Sequence, residues 1–175
     1  MSTWNIDASH STASFTVRHM MITNVRGEFQ KLAGTVSWDP AAPEATKVSA
    51  TLEVASISTR DAQRDTHLKS ADFFDAEKYP EITFASKGVH KAGGGFEIVG
   101  DLTIHGTTKE VALAVEGPTP EHKDPWGNTR IGASARTKIK RSEFGMTWNN
   151  VLEAGGVLVA DDVNIELDVS LVLQK

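Results

Sequence analysis

Residues 163–171 read Val-Asn-Ile-Glu-Leu-Asp-Val-Ser-Leu and alternate strictly between apolar and polar side chains. Successive side chains of a β-strand point to opposite faces, so this period of two places every apolar residue on one face. A strand with one apolar and one polar face is typical of an antiparallel sheet that has water on one side. The stretch therefore predicts a long, half-buried antiparallel strand.

Seven further segments repeat this alternation, among them 13–19, 48–54, 82–86, 96–104 and 131–139. Turn and loop signals separate them, such as the three consecutive glycines at 93–95 and the Pro-rich stretch 118–128. Eight long strands joined as hairpins predict an all-β fold, an eight-stranded antiparallel up-and-down barrel. A two-sheet sandwich would show the same alternation, usually with shorter strands. We expect one domain over residues 1–175, with no linker or internal repeat.

The alternation stops over residues 58–75, between the third and fourth predicted strands. We predict a short helical insert there that covers one end of the barrel. If residues 60–69 are helical, Arg60, Arg64 and His67 fall at i, i+4 and i+7 and share one face. Such a cationic stripe beside an apolar cavity would suit an anionic head group. The alternative is a solvated helix whose cations pair with its own acidic residues.

Composition excludes several functional classes. A net charge near −5 argues against a non-specific nucleic-acid binder, and the absence of cysteine removes disulfides and thiolate chemistry. The six histidines lack metal-ligand spacing, and no catalytic motif is present, so we expect no metal site and no catalytic residue. No run is apolar enough to span a bilayer. The N-terminus lacks the features of a signal peptide, so we expect a cytoplasmic protein, with an exported mature form as the alternative.

The interior of such a barrel either holds one small ligand or is filled by its own side chains. Ala50, Gly100, Ala133 and Ala135 have the parity of inward positions and are small, which favours unfilled space. Phenylalanines on the same face could fill part of it.

Several motifs together resemble the YceI-like family. They are WNID at 4–7, FTVRHM at 15–20, RDTHL at 64–68, DFFD at 72–75, YPEITF at 79–84, GDLTIHGTTK at 100–109 and RSEFGM at 141–146. Each motif is weak alone, but they occur in the family's order and cover nearly the whole chain. The resemblance implies an extended, lipocalin-like barrel with an elongated apolar cavity. It also implies a polyisoprenoid ligand, such as an isoprenoid quinone or a polyprenyl phosphate, and no firmly attached catalytic activity. Fatty-acid-like amphiphiles are further ligands of some members.

Our leading hypothesis is a non-enzymatic protein without a cofactor that binds, carries or sequesters a long-chain amphiphile. The residues expected to hold its tail are Phe15, Val17, Leu52, Val54, Phe84, Ile98, Leu102, Phe144 and Trp148. The residues expected near its polar head are Arg18, His19, Arg64 and His67. The first alternative is a lipid- or quinone-modifying enzyme with His19 or His67 as acid or base. The second is a filled barrel that acts by protein contact; whether the chain forms a homodimer stays open.

Overall fold

The computed structural model describes residues 1–150 and 158–175. These residues form twelve strands and one α-helix. The strands are β1 (Ser2–Ile6), β2 (Thr12–His19), β3 (Thr23–Phe29), β4 (Leu32–Trp38), β5 (Lys47–Glu53), β6 (Ile57–Ser58), β7 (Glu81–Ala92), β8 (Gly95–Ile104), β9 (Thr107–Glu116), β10 (His122–Lys123), β11 (Thr129–Lys140) and β12 (Val159–Leu173). The helix is α1 (Ala62–Lys69), and short 3₁₀ turns lie at Ala8–His10, Pro43–Ala45, Val54–Ser56 and Arg141–Phe144.

Eight of the strands close into a barrel. Their order around it is β11-β9-β8-β7-β5-β4-β1-β12, and β12 pairs again with β11 to close the ring. All of these pairs are antiparallel, and neighbours along the chain are neighbours in the ring. The predicted eight-stranded up-and-down barrel is therefore confirmed. The stretch 163–171 lies within β12, the longest strand at 15 residues.

The first three barrel strands are interrupted, which the alternation did not predict. β1 pairs with the C-terminal part of β12, and β2 pairs with its N-terminal part. In the same way, β4 pairs with β1 and β3 pairs with β2. The third strand breaks in the same way between β5 and β6. The breaks are adjacent, because Gln30 N donates to Ser56 O and Glu53 N donates to Lys31 O. The side chain of Asp7 initiates the first break by accepting a hydrogen bond from Ser9 N.

The helical insert lies between the third and fourth barrel strands, as predicted. It covers the end of the barrel that also carries the β2–β3 turn, the β8–β9 turn and the 3₁₀ turn Arg141–Phe144, and we call this the upper end. Asp61 caps α1 by accepting a hydrogen bond from Arg64 N. Phe73, just after the helix, is buried, and Phe74 packs edge-on against Phe29 at 5.7 Å between ring centroids.

Two apolar clusters pack the barrel at different heights. The larger cluster lies under the insert and contains Phe29, Val54, Ile57, Ile82, Leu102, Ile104, Ile139, Phe144 and Met146. The smaller cluster is Trp4, Ile131 and Leu171, at the opposite end, which we call the lower end. Within residues 1–150 and 158–175, no helix is long and apolar enough to cross a membrane.

Candidate ligand cavity

The barrel encloses a cavity of about 620 Å³. Val159 and Leu171, twelve residues apart on β12, both line it. At about 3.3 Å per residue and a strand tilt of about 40°, this separation corresponds to about 30 Å along the barrel axis. The cavity is therefore long and narrow. An elongated, apolar cavity of this volume suits an extended hydrocarbon chain.

The wall of the cavity is overwhelmingly apolar, because the inward-facing position of nearly every strand holds an aliphatic or aromatic residue. On β12 these are Val159, Val163, Ile165, Leu167, Val169 and Leu171. The polar residues that alternate with them on β12 face outward and are mostly exposed. The interior is thus not filled by the chain's own side chains.

Most of the predicted tail residues lie on this wall. They are Phe15, Val17, Leu52, Phe84, Ile98, Leu102 and Trp148. Val54 and Phe144 do not line the cavity and are instead fully buried in the larger core cluster. Both residues belong to 3₁₀ turns, where the alternation of inward and outward positions no longer holds.

Small residues keep the lumen open. Ala50, Ala133 and Ala135 line the cavity, as their parity indicated. Gly100 acts differently, because a β-carbon there would stand 2.5 Å from the ring of Phe84. The glycine thus lets that ring lie against the wall instead of projecting into the lumen.

At the upper end, Arg64 lines the cavity from α1. Its Nε donates to Thr59 Oγ1 at 2.8 Å and its Nη2 to Thr59 O at 2.7 Å. Thr59 in turn donates from its backbone N to Asp65 Oδ1. The guanidinium is therefore held in one orientation. The expected stripe is wrong for Arg60, which is exposed, precedes the helix and has a left-handed φ of 64°.

His67 lines the same end, one turn further along α1. Its Nε2 forms a hydrogen bond of 2.9 Å with Asp72 Oδ2, and its ring packs edge-on against Trp148 at 4.7 Å and Phe73 at 5.1 Å. These contacts tie α1 to the segment after β11. The insert and that segment therefore form a shared cover over the cavity.

Arg18 and His19 lie at the rim, at the end of β2. Arg18 is exposed, and its Nε donates to Met21 O at 3.4 Å. His19 is half-buried on the inner face, in register with Val159 of β12. The four residues predicted near the head group thus all border the upper part of the cavity, Arg64 and His67 in its cover and Arg18 and His19 at its edge.

Arg141 was not among the predicted site residues, yet it lines the cavity with only 5% of its surface exposed. Its guanidinium donates to four backbone carbonyls, those of Met146, Trp148, Val159 and Ala160, at 2.8–3.2 Å. Burial lowers the pKa of Arg141 from its ordinary value, an effect that Asp161 partly opposes. The available signal was its position directly after β11. Arg141 has the parity of the inward-facing residues of that strand and not of its solvent-facing cations.

The lower end is fixed by an ion-pair cluster. Arg130 on β11 donates from Nη1 to Asp7 at 2.8 Å and from Nε to Asp124 at 2.6 Å. Hydrogen bonds from Arg130 hold the pKa of Asp7 well below its usual range and lower that of Asp124 from 3.8 to about 2. Asp7 also accepts hydrogen bonds from Ser9 and His10, so the cluster joins the break between β1 and β2 to β11. In the part of the chain that the structure describes, no group of three or more His, Cys, Asp or Glu residues could hold a metal ion.

Comparison with known proteins agrees with this architecture. The sequence model of the YceI-like domain matches residues 4–171. Protein YceI of Escherichia coli is 39% identical over 140 residues, which cover 80% of this chain and 73% of the relative. The crystal structure of BcnA from Burkholderia cenocepacia superposes with a TM-score of 0.80 at 27% identity, covering 94% of this chain and 98% of that one.

A more distant structure has the same fold. It is a domain from Saccharophagus degradans described as polyisoprenoid-binding, with a TM-score of 0.71 at 15% identity and coverage of 99% of this chain and all of that one. The match over residues 4–171, the identity to the Escherichia coli protein and the closed eight-stranded barrel agree with one another. The chain belongs to the YceI-like family.

Proposed function

We propose that the protein binds one molecule of a long, single-chain amphiphile, a polyisoprenoid such as an isoprenoid quinone or a polyprenyl phosphate, and carries or sequesters it. The observation that carries this proposal is the cavity itself, which is about 620 Å³ in volume and apolar along its length. A volume of this size is typical of small-molecule binding pockets, and the elongated shape matches an extended hydrocarbon tail. The likeness to a polyisoprenoid-binding domain supports the same class of ligand.

The tail supplies enough binding free energy without strong polar contacts. Each buried methylene contributes about 0.8 kcal/mol, so a tail that buries about 20 carbons gains on the order of 16 kcal/mol. Lost translational and rotational freedom costs roughly 4–15 kcal/mol. The balance favours binding, and it favours longer tails over shorter ones.

The polar head lies at the upper end in this proposal. Arg64 and His67 in the cover, with Arg18 and His19 at the rim, place hydrogen-bond donors at that end of an otherwise apolar wall. Arg64 uses Nε and Nη2 on Thr59, and within the described residues its Nη1 has no hydrogen bond, so this group is the one that would meet a phosphate or quinone oxygen.

The proposed activity is binding without chemical conversion. The arrangement that a lipid-modifying enzyme would use is the His67–Asp72 pair, because a carboxylate can orient a histidine for proton transfer. Here Asp72 fixes the ring of His67 within the insert, and that ring packs against Trp148 of the segment after β11. Incubating the protein with a long-chain quinone or polyprenyl phosphate and finding the ligand unchanged would support binding alone, whereas turnover that vanishes in His67→Ala would favour the enzyme.

A blocked lumen tests the proposal directly. Ala135 lines the cavity from β11, and Ala114 on the adjacent β9 faces solvent. Ala135→Phe should abolish uptake of long-chain quinone and polyprenyl phosphate, while the matched Ala114→Phe leaves it intact. Organic extraction and mass spectrometry of each purified variant measures native ligand in parallel. Equal uptake by both variants, or no uptake by the unmodified protein, would contradict the proposal.

A further inference from the structure

The turn between β2 and β3 presents three consecutive apolar side chains to solvent. Met20 is 45% exposed, Met21 58% and Ile22 74%. Among the described residues, the other large apolar side chains with comparable exposure are Met1 and Trp126, which stand singly. We call residues 20–22 the tip. Adjacent exposed apolar side chains mark interaction sites more often than isolated ones do.

The backbone of the tip has a conformation that is energetically unfavourable for methionine. Met20 and Met21 have φ of 51° and 60°, in the left-handed region, and Ile22 N closes the turn by donating to His19 O. Hairpin turns with two such residues favour Asn and Gly, because a side chain with a β-carbon resists positive φ. The strain is thus borne by two residues whose side chains are largely in water. Such an outlier points to a role outside the fold.

The strands that carry the tip form a cationic collar. Arg18 and Arg26 are exposed, and their neighbours Val17 and Val25 take the inward positions, so both arginines lie on the outer face of β2 and β3. Residues 12–27 contain no Asp or Glu, although the chain as a whole has a net charge of −5. The first acidic residue on β3 is the half-buried Glu28, two positions further from the tip than Arg26 on the same face. The nearest acidic residues of the adjacent β12 are engaged elsewhere, Asp161 by Ser142 and Asp162 by Lys140.

The tip also stands at the mouth of the cavity. Met20 N donates to Leu158 O, and Leu158, His19 and Val25 line the upper end. We propose that the tip inserts into the surface of an anionic lipid bilayer and holds the upper end of the cavity against it. Apolar side chains that enter the interface and arginines that meet anionic head groups are the two elements of such anchors.

A second copy of the chain fits the tip less well. Three side chains cover far less than the roughly 800 Å² per partner of a stable protein interface. Two tips that met would also bring four arginines together, and like charges at close range repel. A bilayer surface needs only shallow insertion and supplies the opposite charge.

Vesicle sedimentation tests the inference. The unmodified protein should bind vesicles of phosphatidylcholine with phosphatidylglycerol and bind pure phosphatidylcholine weakly. Met21→Ser with Ile22→Ser should weaken binding at least about ten-fold, because both side chains lose apolar insertion. The matched control is Trp126→Ser, which removes a 77% exposed apolar residue between β10 and β11, at the lower end, and should leave binding unchanged.

The collar has its own test. Arg18→Gln and Arg26→Gln should each lower affinity for the anionic vesicles about five-fold and reduce its dependence on salt. Absence of vesicle binding by the unmodified protein, full binding by the serine variant, or loss of binding in Trp126→Ser would overturn the inference. So would a concentration-dependent dimer that the serine variant abolishes. Ligand uptake from detergent micelles is measured separately, so failure of membrane docking and failure of ligand binding give different results.

Discussion

The ring of Phe15 lies directly over Gly27 on the neighbouring strand. The two residues are partners in the β2–β3 register, and a β-carbon on Gly27 would stand 2.8 Å from Cε1 of the ring. Gly27 is buried and Phe15 lines the cavity, so the glycine sets how far the ring projects into the lumen. The absence of a side chain at Gly27, on the adjacent strand, therefore helps to set the width of the cavity at this level.

Gly27→Ala should push the Phe15 ring inward and narrow the cavity. Overpacking of this kind costs about 1–3 kcal/mol of the free energy of unfolding. Because the narrowed cavity would exclude part of the tail, we expect uptake of a long-chain quinone to fall at least about ten-fold, which corresponds to about 1.4 kcal/mol of binding free energy. Fluorescence titration of the quinone and urea unfolding measure the two effects.

The compensating variant separates narrowing from general damage. Gly27→Ala combined with Phe15→Leu returns space to the lumen and should recover most of the uptake. If the double variant binds as poorly as Gly27→Ala alone, the ring does not control the width of the cavity.

The narrow shape of the cavity also predicts selectivity for the number of hydrocarbon chains in the ligand. A cavity of about 620 Å³ that extends over about 30 Å has room for one extended tail, so a single-chain amphiphile should compete with a bound polyisoprenoid, whereas a diacyl phospholipid should not. Displacement of a fluorescent polyenoic fatty acid by each lipid, presented in detergent below its aggregation limit, measures this preference. Equal displacement by both lipid classes would mean that the cavity is wider than the structure shows.

The barrel was predictable because its decisive signal is local. The alternation from Val163 to Leu171 needs only the period of a strand, and hairpin connections then fix the neighbours around the ring. The breaks at Gln30 and Ser56 were not predictable in the same way. They arise from hydrogen bonds between residues far apart in sequence, such as Gln30 N to Ser56 O.

The residues of the candidate site could be predicted only within the strands, where inward and outward positions alternate. Phe15, Phe84 and Ile98 follow the parity of their strands to the cavity wall, whereas Val54 and Phe144 sit in 3₁₀ turns and are buried elsewhere. The upper end depends on contacts between α1 and the segment after β11, such as His67 with Trp148. No spacing rule connects residues 81 positions apart, which is why the cover was foreseen and its contacts were not.

Acid should weaken the lower end through the cluster around Arg130. Because the folded state lowers the pKa of Asp124 from 3.8 to about 2, its contribution is complete above pH 3.8 and is lost as the pH falls toward 2. The lowered pKa of Asp7 acts in the same direction and extends the loss to lower pH. Urea midpoints measured from pH 7 to pH 2 should therefore drop steeply below about pH 4.

Arg130→Gln removes the main cause of both pKa shifts. The variant should be less stable than the unmodified protein at pH 7 and should lose less on acidification, so the two curves converge at low pH. Arg136→Gln is the matched control on the same strand, since Arg136 is exposed and its nearest carboxylate oxygen, on Glu116, is 3.8 Å away. Parallel curves for Arg130→Gln and the unmodified protein would show that the cluster does not set the acid limit.

The head-group assignment makes the most discriminating prediction. Arg64→Ala with His67→Ala should weaken binding of a polyprenyl phosphate about 10–100-fold, as expected when hydrogen bonds to a charged group are removed. A neutral polyprenyl hydrocarbon of equal length should lose much less, because its contacts with the wall are unchanged. Arg60→Ala serves as the control, since Arg60 is exposed and lies outside α1. The double variant at Arg64 and His67 also loses the Arg64–Thr59 and His67–Asp72 hydrogen bonds, so its thermal unfolding is measured as well. Equal losses for phosphate and hydrocarbon would show that Arg64 and His67 act only by holding the cover in place.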